Sequence, residues 1–243
     1  MFHIVICSAG RVETLGRNTL RVIQESQMPV LIVVPHDEVE TYREAYPEMT
    51  IVGAPRGLVK QRAYARTLYD TSARILFIDD DISRLKRLSM GQLVTIDDCF
   101  DGIVETLFDT MVLKGCVMFG VYPVTNRGWM KNTMTVDRAY IVGAFYGIIN
   151  SIPEEVGEDE AEDFRRQLRL LDSGGHCVRF NHTGITTRYW KGDTGGIQRQ
   201  EETSRVIFQG LAERYPNLVR VIQNRKGRPN LRFIRDTTEE STP

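Results

Sequence analysis

Three consecutive aspartates, Asp79, Asp80 and Asp81, end the apolar run "RILFI" at 74–78. Adjacent carboxylates repel, and holding them at the end of a buried strand is costly unless a positive partner is brought to them. A second acidic concentration lies further on: seven of the ten residues from Glu154 to Asp163 are acidic. It closes on the pair Glu162-Asp163, ahead of a basic amphipathic segment and Gly174-Gly175. Part of that run is what a helix N-terminus favours through its dipole. Two further clusters stand beside apolar strands. "ICSAGR" offers Ser8, Gly10 and Arg11, and "RGLVKQRAYA" offers Arg56, Lys60, Gln61 and Arg62. The latter suit a phosphate or a base as well as the solvated face of an amphipathic helix.

The elements that must position these groups alternate in the first half of the chain. Strands are expected at 2–7, 30–34, 50–54 and 74–78, with helices at 14–25, 37–46 and 58–73. Fully apolar strands separated by helices predict a parallel sheet covered on both faces. Ligands of such sheets bind beyond the carboxyl ends of the strands, where the aspartates fall. The second half predicts a helix at 96–113, strands at 116–123 and 139–149, a helix closed by Gly174, a strand at 176–180 and a helix from about Glu202 to Arg214. A basic tail follows. The 243 residues carry a net charge of -1, so charge gives no global signature of a nucleic-acid binder. Four scattered cysteines, no recognisable signal peptide and no membrane-length apolar run predict a soluble, cytoplasmic protein.

Three readings of the aspartates compete. One is a solvated strand-to-loop turn. The second is a haloacid-dehalogenase-type phosphotransferase motif, which Asp79, Asp81 and Ser83 fit in pattern, although that motif normally opens its domain. The third is the D-x-D motif of a nucleotide-sugar glycosyltransferase with a GT-A-type fold. There a hard divalent cation, Mn²⁺ or Mg²⁺, neutralises the diphosphate leaving group. This reading puts Asp79 near the ribose and Asp81 on the metal, with Asp80 supporting the turn. "EDFRRQLRLLDSGG", from Glu162, resembles the corresponding segment of inverting family-2-like glycosyltransferases. The resemblance makes Asp163 the general base, beside Glu162; acidic neighbours that raise its pKa would suit it to take a proton. Glu158-Asp159 is the alternative pair. A late metal ligand is usual in such folds, and His182 and Asp193 are its candidates.

The N-terminal "S-x-G-R…T-L", "G-L-V-x-x-R" and "F-I-D-D-D-I" together resemble the TET-associated glycosyltransferases, across about residues 2 to 200. That family includes phage enzymes and the base J glucosyltransferases. The resemblance implies one α/β domain of GT-A-like fold over 1–243, with a mostly parallel central sheet flanked by helices. Residues 1–82 would be the nucleotide-binding half, 83–200 the acceptor and catalytic half, and 201–243 a helix and basic tail. It also implies a UDP-sugar donor, with Ser8, Gly10, Arg11, Arg62, Asp79 and Asp80 around it. The acceptor would be the hydroxymethyl group of 5-hydroxymethylcytosine or 5-hydroxymethyluracil in DNA, reached from the host cytoplasm if the gene is a phage's. Some residues support DNA on their own. From 205 onward, eight Lys or Arg stand against four acids, and Arg225, Lys226 and Arg228 concentrate them. "NRGWMKN" joins Arg127 and Lys131 to Trp129, an aromatic able to stack on a base; Arg188, Tyr189 and Trp190 repeat the combination. "KGDTGGIQRQ" has the glycines of a flexible lid. A saccharide or small-molecule acceptor, a nucleotidylyltransferase lacking its glycine-rich signature, and a silent DNA-binding module remain the alternatives.

Overall fold

The computed structural model describes residues 1–96, 99–151, 157, 159–187, 201–224 and 227–234. Its first half runs β1 (His3–Cys7), α1 (Val12–Arg17), α2 (Thr19–Val22), β2 (Val30–Pro35), α3 (Val39–Ala45), β3 (Thr50–Ala54), α4 (Leu58–Thr67) and β4 (Arg74–Asp79). The chain continues as β5 (Arg84–Ser89), β6 (Gln92–Thr95), α5 (Phe100–Leu113), β7 (Met118–Tyr122), β8 (Met134–Val136) and β9 (Phe145–Ile149). It closes with α6 (Glu162–Asp172), β10 (Cys177–Thr186), α7 (Glu201–Arg214), β11 (Val219–Gln223) and β12 (Pro229–Phe233).

Ten strands form one sheet in the order β3-β2-β1-β4-β9-β7-β10-β5-β6, with β8 also paired to β10. The first four are mutually parallel, β9 runs against both β4 and β7, and β10 is parallel to β7. β5 and β6 finish the edge as an antiparallel pair on β10. Alternation assigns each strand's residues to two cores. Ile4, Ile6, Ile32, Val34, Leu76 and Ile78 point into one cluster, and Val5, Cys7, Leu31, Val33, Ile75 and Phe77 into the other. A third cluster joins Phe164 and Leu168 of α6 to Leu211 of α7, to Tyr215 just after it, and to Val219, Leu231 and Phe233 of the β11–β12 hairpin.

The first four strands fall where the apolar runs predict them. The helix expected at 14–25 is broken at Asn18, whose backbone is non-helical and whose side-chain amide bonds back to the Thr14 carbonyl. Residues 84–95 form a hairpin that a reading by apolar runs passes over, and α5 accordingly starts at Phe100 rather than Ile96. Of 139–149, only Phe145–Ile149 is strand. The preceding backbone bonds instead to side chains of α4 and α6, with Ile141 N–H donating to Gln167 and the Gly143 carbonyl accepting from Arg62. Part of the basic tail is the antiparallel hairpin β11–β12, packed against α6. The four cysteines are free thiols. Among the described residues no helix is long and apolar enough to cross a membrane.

Candidate active site

β1 pairs with β2 on one side and β4 on the other, so the strand order reverses at their carboxyl ends, the place where open α/β sheets bind ligands. Cys7 and Asp79 are register partners at that end, which brings Ser8-Ala9-Gly10-Arg11 against the aspartate turn. Asp80 is turned inward: its side chain is 5% exposed, with Ser8 Oγ donating at 2.6 Å and Arg11 Nη1 at 3.0 Å. Ser8 gives its proton to Asp80, so the Tyr42 hydroxyl, 2.7 Å away, donates to Ser8. Thr19 pins the turn from the other side, donating to the Asp79 carbonyl and accepting from Ile82 N–H. Asp79 and Asp81 are the more open carboxylates, 33% and 18% exposed. Burial pushes Asp79 up to about 7; Arg62 opposes the rise, and Asp81 and Asp80 add to it.

Arg62 is the hub. It projects from α4, is 1% exposed, and bridges three parts of the chain. Its Nη2 reaches Asp79 Oδ1 at 2.8 Å and the Gly143 carbonyl at 2.7 Å, and its Nη1 reaches Glu162 Oε1 at 2.6 Å. Arg166, one turn into α6, takes the other Glu162 oxygen at 2.6 Å, and its guanidinium lies 3.8 Å above the Tyr146 ring. Burial alone would raise Glu162, but Arg166 and Arg62 outweigh it and hold this carboxylate below its usual range. Glu162 is thus an anion fixed between two guanidinium groups, whose positive charge makes it poorly suited to accept a proton. α4 is aimed by its neighbours: Gln61 Nε2 ties it to the Ser8 and Val33 carbonyls, and Asp159 Oδ1 accepts from Val59 N–H at its start. Asp159, half of the alternative pair, therefore serves as a helix cap.

Asp163 sits one residue along α6, 7% exposed. The Tyr140 hydroxyl and Gly143 N–H donate to Oδ2, and Phe164 N–H donates to Oδ1. Gly143 thus touches Arg62 through its carbonyl and Asp163 through its amide. A side chain there is excluded, because a Cβ would overlap Glu162 Oε1 and come within 3.2 Å of Arg62 Nη1. Ala161, just before the pair, holds a left-handed backbone with φ 59. That conformation costs a non-glycine residue about 1 kcal/mol and fixes the direction in which α6 starts.

The structure brings Ser8, Arg11, Arg62, Asp79, Asp80, Asp81, Glu162 and Asp163 to one end of the sheet. The Gly10 amide donates to Glu38 at 2.6 Å and is engaged within the protein. His182 lies on β10 toward the same end of the sheet, since Phe180 is level with Val121 and, through β9, with Ile78. β7 and β9 stand between its strand and β4. Burial and Arg87 lower the His182 pKa. Among the described residues, no three His, Cys, Asp or Glu side chains converge as a metal-holding group. Trp129 is 60% exposed, so it is no core tryptophan, and Asn126 builds the turn that presents it between Arg127 and Lys131. Arg228 lies on the β11–β12 connection beside Asn224, on the hairpin packed against α6. Arg225, Lys226, Glu158, Asp193 and the 188–190 cluster lie outside the described residues. Tyr140, Gly143, Arg166 and Tyr42 were not marked by sequence pattern, since their roles depend on partners 18 or more residues away or on one helical turn.

A mostly parallel sheet of this order, with carboxylates at the carboxyl end of β4, defines a GT-A-like nucleotide-sugar transferase fold. The structure of GalNAc-T7 with UDP, GalNAc and Mn²⁺ superposes with a TM-score of 0.50 at 11% identity, over 89% of this chain and 50% of that one. A protein described as a nucleotide-diphospho-sugar transferase from Desulfovibrio desulfuricans G20 matches at 0.48 and 11% identity, covering 88% and 99% of the two chains. The 4-diphosphocytidyl-2C-methyl-D-erythritol synthase of Anaerococcus prevotii DSM 20548 gives 0.46 and 10%, covering 86% and 96%. No curated protein matches the sequence. The profile of the TET-Associated Glycosyltransferase family matches residues 2–196. The chain belongs to that family and is a glycosyltransferase.

Proposed function

We propose that the enzyme transfers a sugar from a UDP-sugar to the hydroxymethyl group of a modified pyrimidine in DNA, with inversion at the anomeric carbon. The observation that carries this reading is Arg62, whose one guanidinium joins the strand-end Asp79 to the α6 pair. It thereby fixes the donor end and the acceptor end of the site relative to each other. In this reading residues 1–82 bind the nucleotide, 83–200 carry the acceptor and catalytic groups, and the whole forms one domain. A divalent metal fits the donor set. Asp79 and Asp81 offer hard oxygens on the open side of the turn while Asp80 is occupied by Ser8 and Arg11, and two carboxylates plus substrate phosphates suffice for such a cation. When bound, Mn²⁺ or Mg²⁺ neutralises charge on the diphosphate as it departs.

Asp163 takes the proton of the acceptor hydroxymethyl group. The freed oxygen then forms its bond to the anomeric carbon as the bond from that carbon to the UDP oxygen breaks, and UDP leaves with the electron pair. Tyr140 and Phe164 N–H orient the carboxylate, and the Glu162–Arg62–Arg166 cluster holds the helix that carries it. Arg11 and Ser8 brace the aspartate turn beneath the donor. Arg127, Trp129 and Lys131, with Arg225, Lys226 and Arg228, contact the DNA. The test is UDP release from a panel of UDP-sugars with Mn²⁺, with and without 5-hydroxymethylcytosine or 5-hydroxymethyluracil DNA. Release that requires the modified DNA is expected. Equal release without DNA would overturn the acceptor, and no release from any donor would overturn the nucleotide specificity.

A further inference from the structure

The β5–β6 hairpin has a turn that its sequence does not explain. Met90 and Gly91 occupy the two central positions, both with positive φ, 47 and 74. A two-residue turn of this hand is made at least cost by Asn-Gly. Methionine there costs about 1 kcal/mol, without a packing return: Met90 is 103% exposed. A strained, wholly exposed apolar side chain at a hairpin apex points to something outside the chain that it meets.

The charges around it identify that partner. Residues 82–96 contain Arg84, Lys86 and Arg87 and no acid, and residues 116–136 contain Arg127 and Lys131 and no acid after Lys114. Alternation along β5 puts Arg84 and Lys86 on one face of the ribbon and Arg87 on the other. The ladder to β10 ends at the Thr183–Arg87 pair, while β5 and β6 pair on to Ser89–Gln92, so the tip extends past its support. Arg127 comes within 3.9 Å of where a side chain on Gly91 would start, joining the Trp129 loop to the same tip. Lysines that merely guard a sheet edge belong on the outermost strand. Here that strand is β6, "QLVT", which has no charge, and the cations stand on β5 inside it.

We infer that the β5–β6 hairpin is a duplex-engaging ribbon. It enters a groove of the acceptor DNA with Arg84, Lys86 and Arg87 on the flanking phosphates, and Met90 leads as an apolar wedge against the base stack. A two-stranded ribbon fits the major groove, and an apolar side chain pressed between base steps lowers the cost of extruding a nucleotide toward the active site. This inference rests on the DNA acceptor proposed above and names the surface that holds it.

The experiment is fluorescence anisotropy of a labelled 5-hydroxymethylcytosine duplex across a salt series, for the wild type, R84Q/K86Q/R87Q and M90N. UDP affinity and melting temperature serve as controls. The triple variant should lower the slope of log K against log salt by roughly 2 to 3, with ~10-fold or greater loss of affinity. M90N should melt higher and yet bind and glycosylate duplex more weakly, with a smaller loss on single strands. A merely structural Met90 cannot give that opposition of signs. If the triple variant fails to fold, R84Q and R87Q singly should each remove about one unit of slope. Wild-type slope and affinity in these variants would overturn the ribbon, and M90N binding duplex like the wild type would overturn the wedge. No duplex binding by the wild-type chain would overturn the DNA acceptor itself, and the ribbon with it.

Discussion

Around the carboxyl ends of β1 and β4 each guanidinium faces a carboxylate: Arg11 meets Asp80, Arg62 meets Asp79 and Glu162, and Arg166 meets Glu162. At the β5–β6 edge Arg84, Lys86 and Arg87 stand in a segment without a single acid. Buried charge must be matched inside the protein, because desolvation penalises any ion left alone, so the charges of the first region fix positions. Charge held in water bears no such penalty and keeps its attraction for an outside anion. The charges at the strand ends therefore set geometry, and those of the β5–β6 edge would, in the reading proposed, meet the DNA.

The largest expected effect is at Asp81. D81N should lower transfer about 10³-fold, the scale of the charge stabilisation a metal supplies, with Mn²⁺ affinity falling and the melting temperature unchanged. Wild-type turnover in D81N would remove the metal from this residue. R62M breaks the matched region at its hub and should lower stability in urea by about 3 kcal/mol, since Glu162 and Asp79 each lose a buried partner. A wild-type midpoint would mean that the cluster is not what joins α4 to α6. G143A should cost about 1–3 kcal/mol through overpacking and lower kcat besides, because Asp163 and Arg62 share that backbone. Loss of stability without loss of kcat would separate Asp163 from this support. The smallest effect sharpens the contrast: R84Q, at the far edge, should stay within about 0.5 kcal/mol of the wild type in the same unfolding assay.

Much of the cluster at the carboxyl ends of β1 and β4 was legible in the sequence because its residues stand directly after apolar strands, whose burial fixes where they end. Asp79–Asp81 and Ser8–Arg11 are of this kind. Arg62 was marked as a donor-site candidate, but its burial was not legible, since a helix of low amphipathicity does not announce which face turns inward. Gly143 and Tyr140 were illegible for another reason: their partners, Glu162 and Asp163, lie about twenty residues on, and the apolar run "AYIVGAFYGII" conceals a loop. How far His182 stands from the aspartates was not legible, because strand order and the irregularity between Phe180 and Gly184 cannot be read from a strand's composition. The two hairpins carried only a broken signal, since polar and apolar residues alternate over Arg84–Lys86 and Val219–Val221 but Lys86-Arg87 and Val221-Ile222 interrupt the period of two. Their turns, Met-Gly and the basic "NRKG", lack the Asn-Gly that would have marked them.

The central claim is that of two adjacent carboxylates, Glu162 and Asp163, the first is locked to arginines and the second takes the acceptor's proton. Single-turnover transfer to hydroxymethylated DNA by D163N, with UDP affinity and melting temperature measured on the same preparation, tests it most directly. The account predicts a rate lower by ~10²–10⁴-fold with donor affinity and melting kept, as removal of a general base does. Transfer at the wild-type rate by a folded, donor-binding D163N would contradict it.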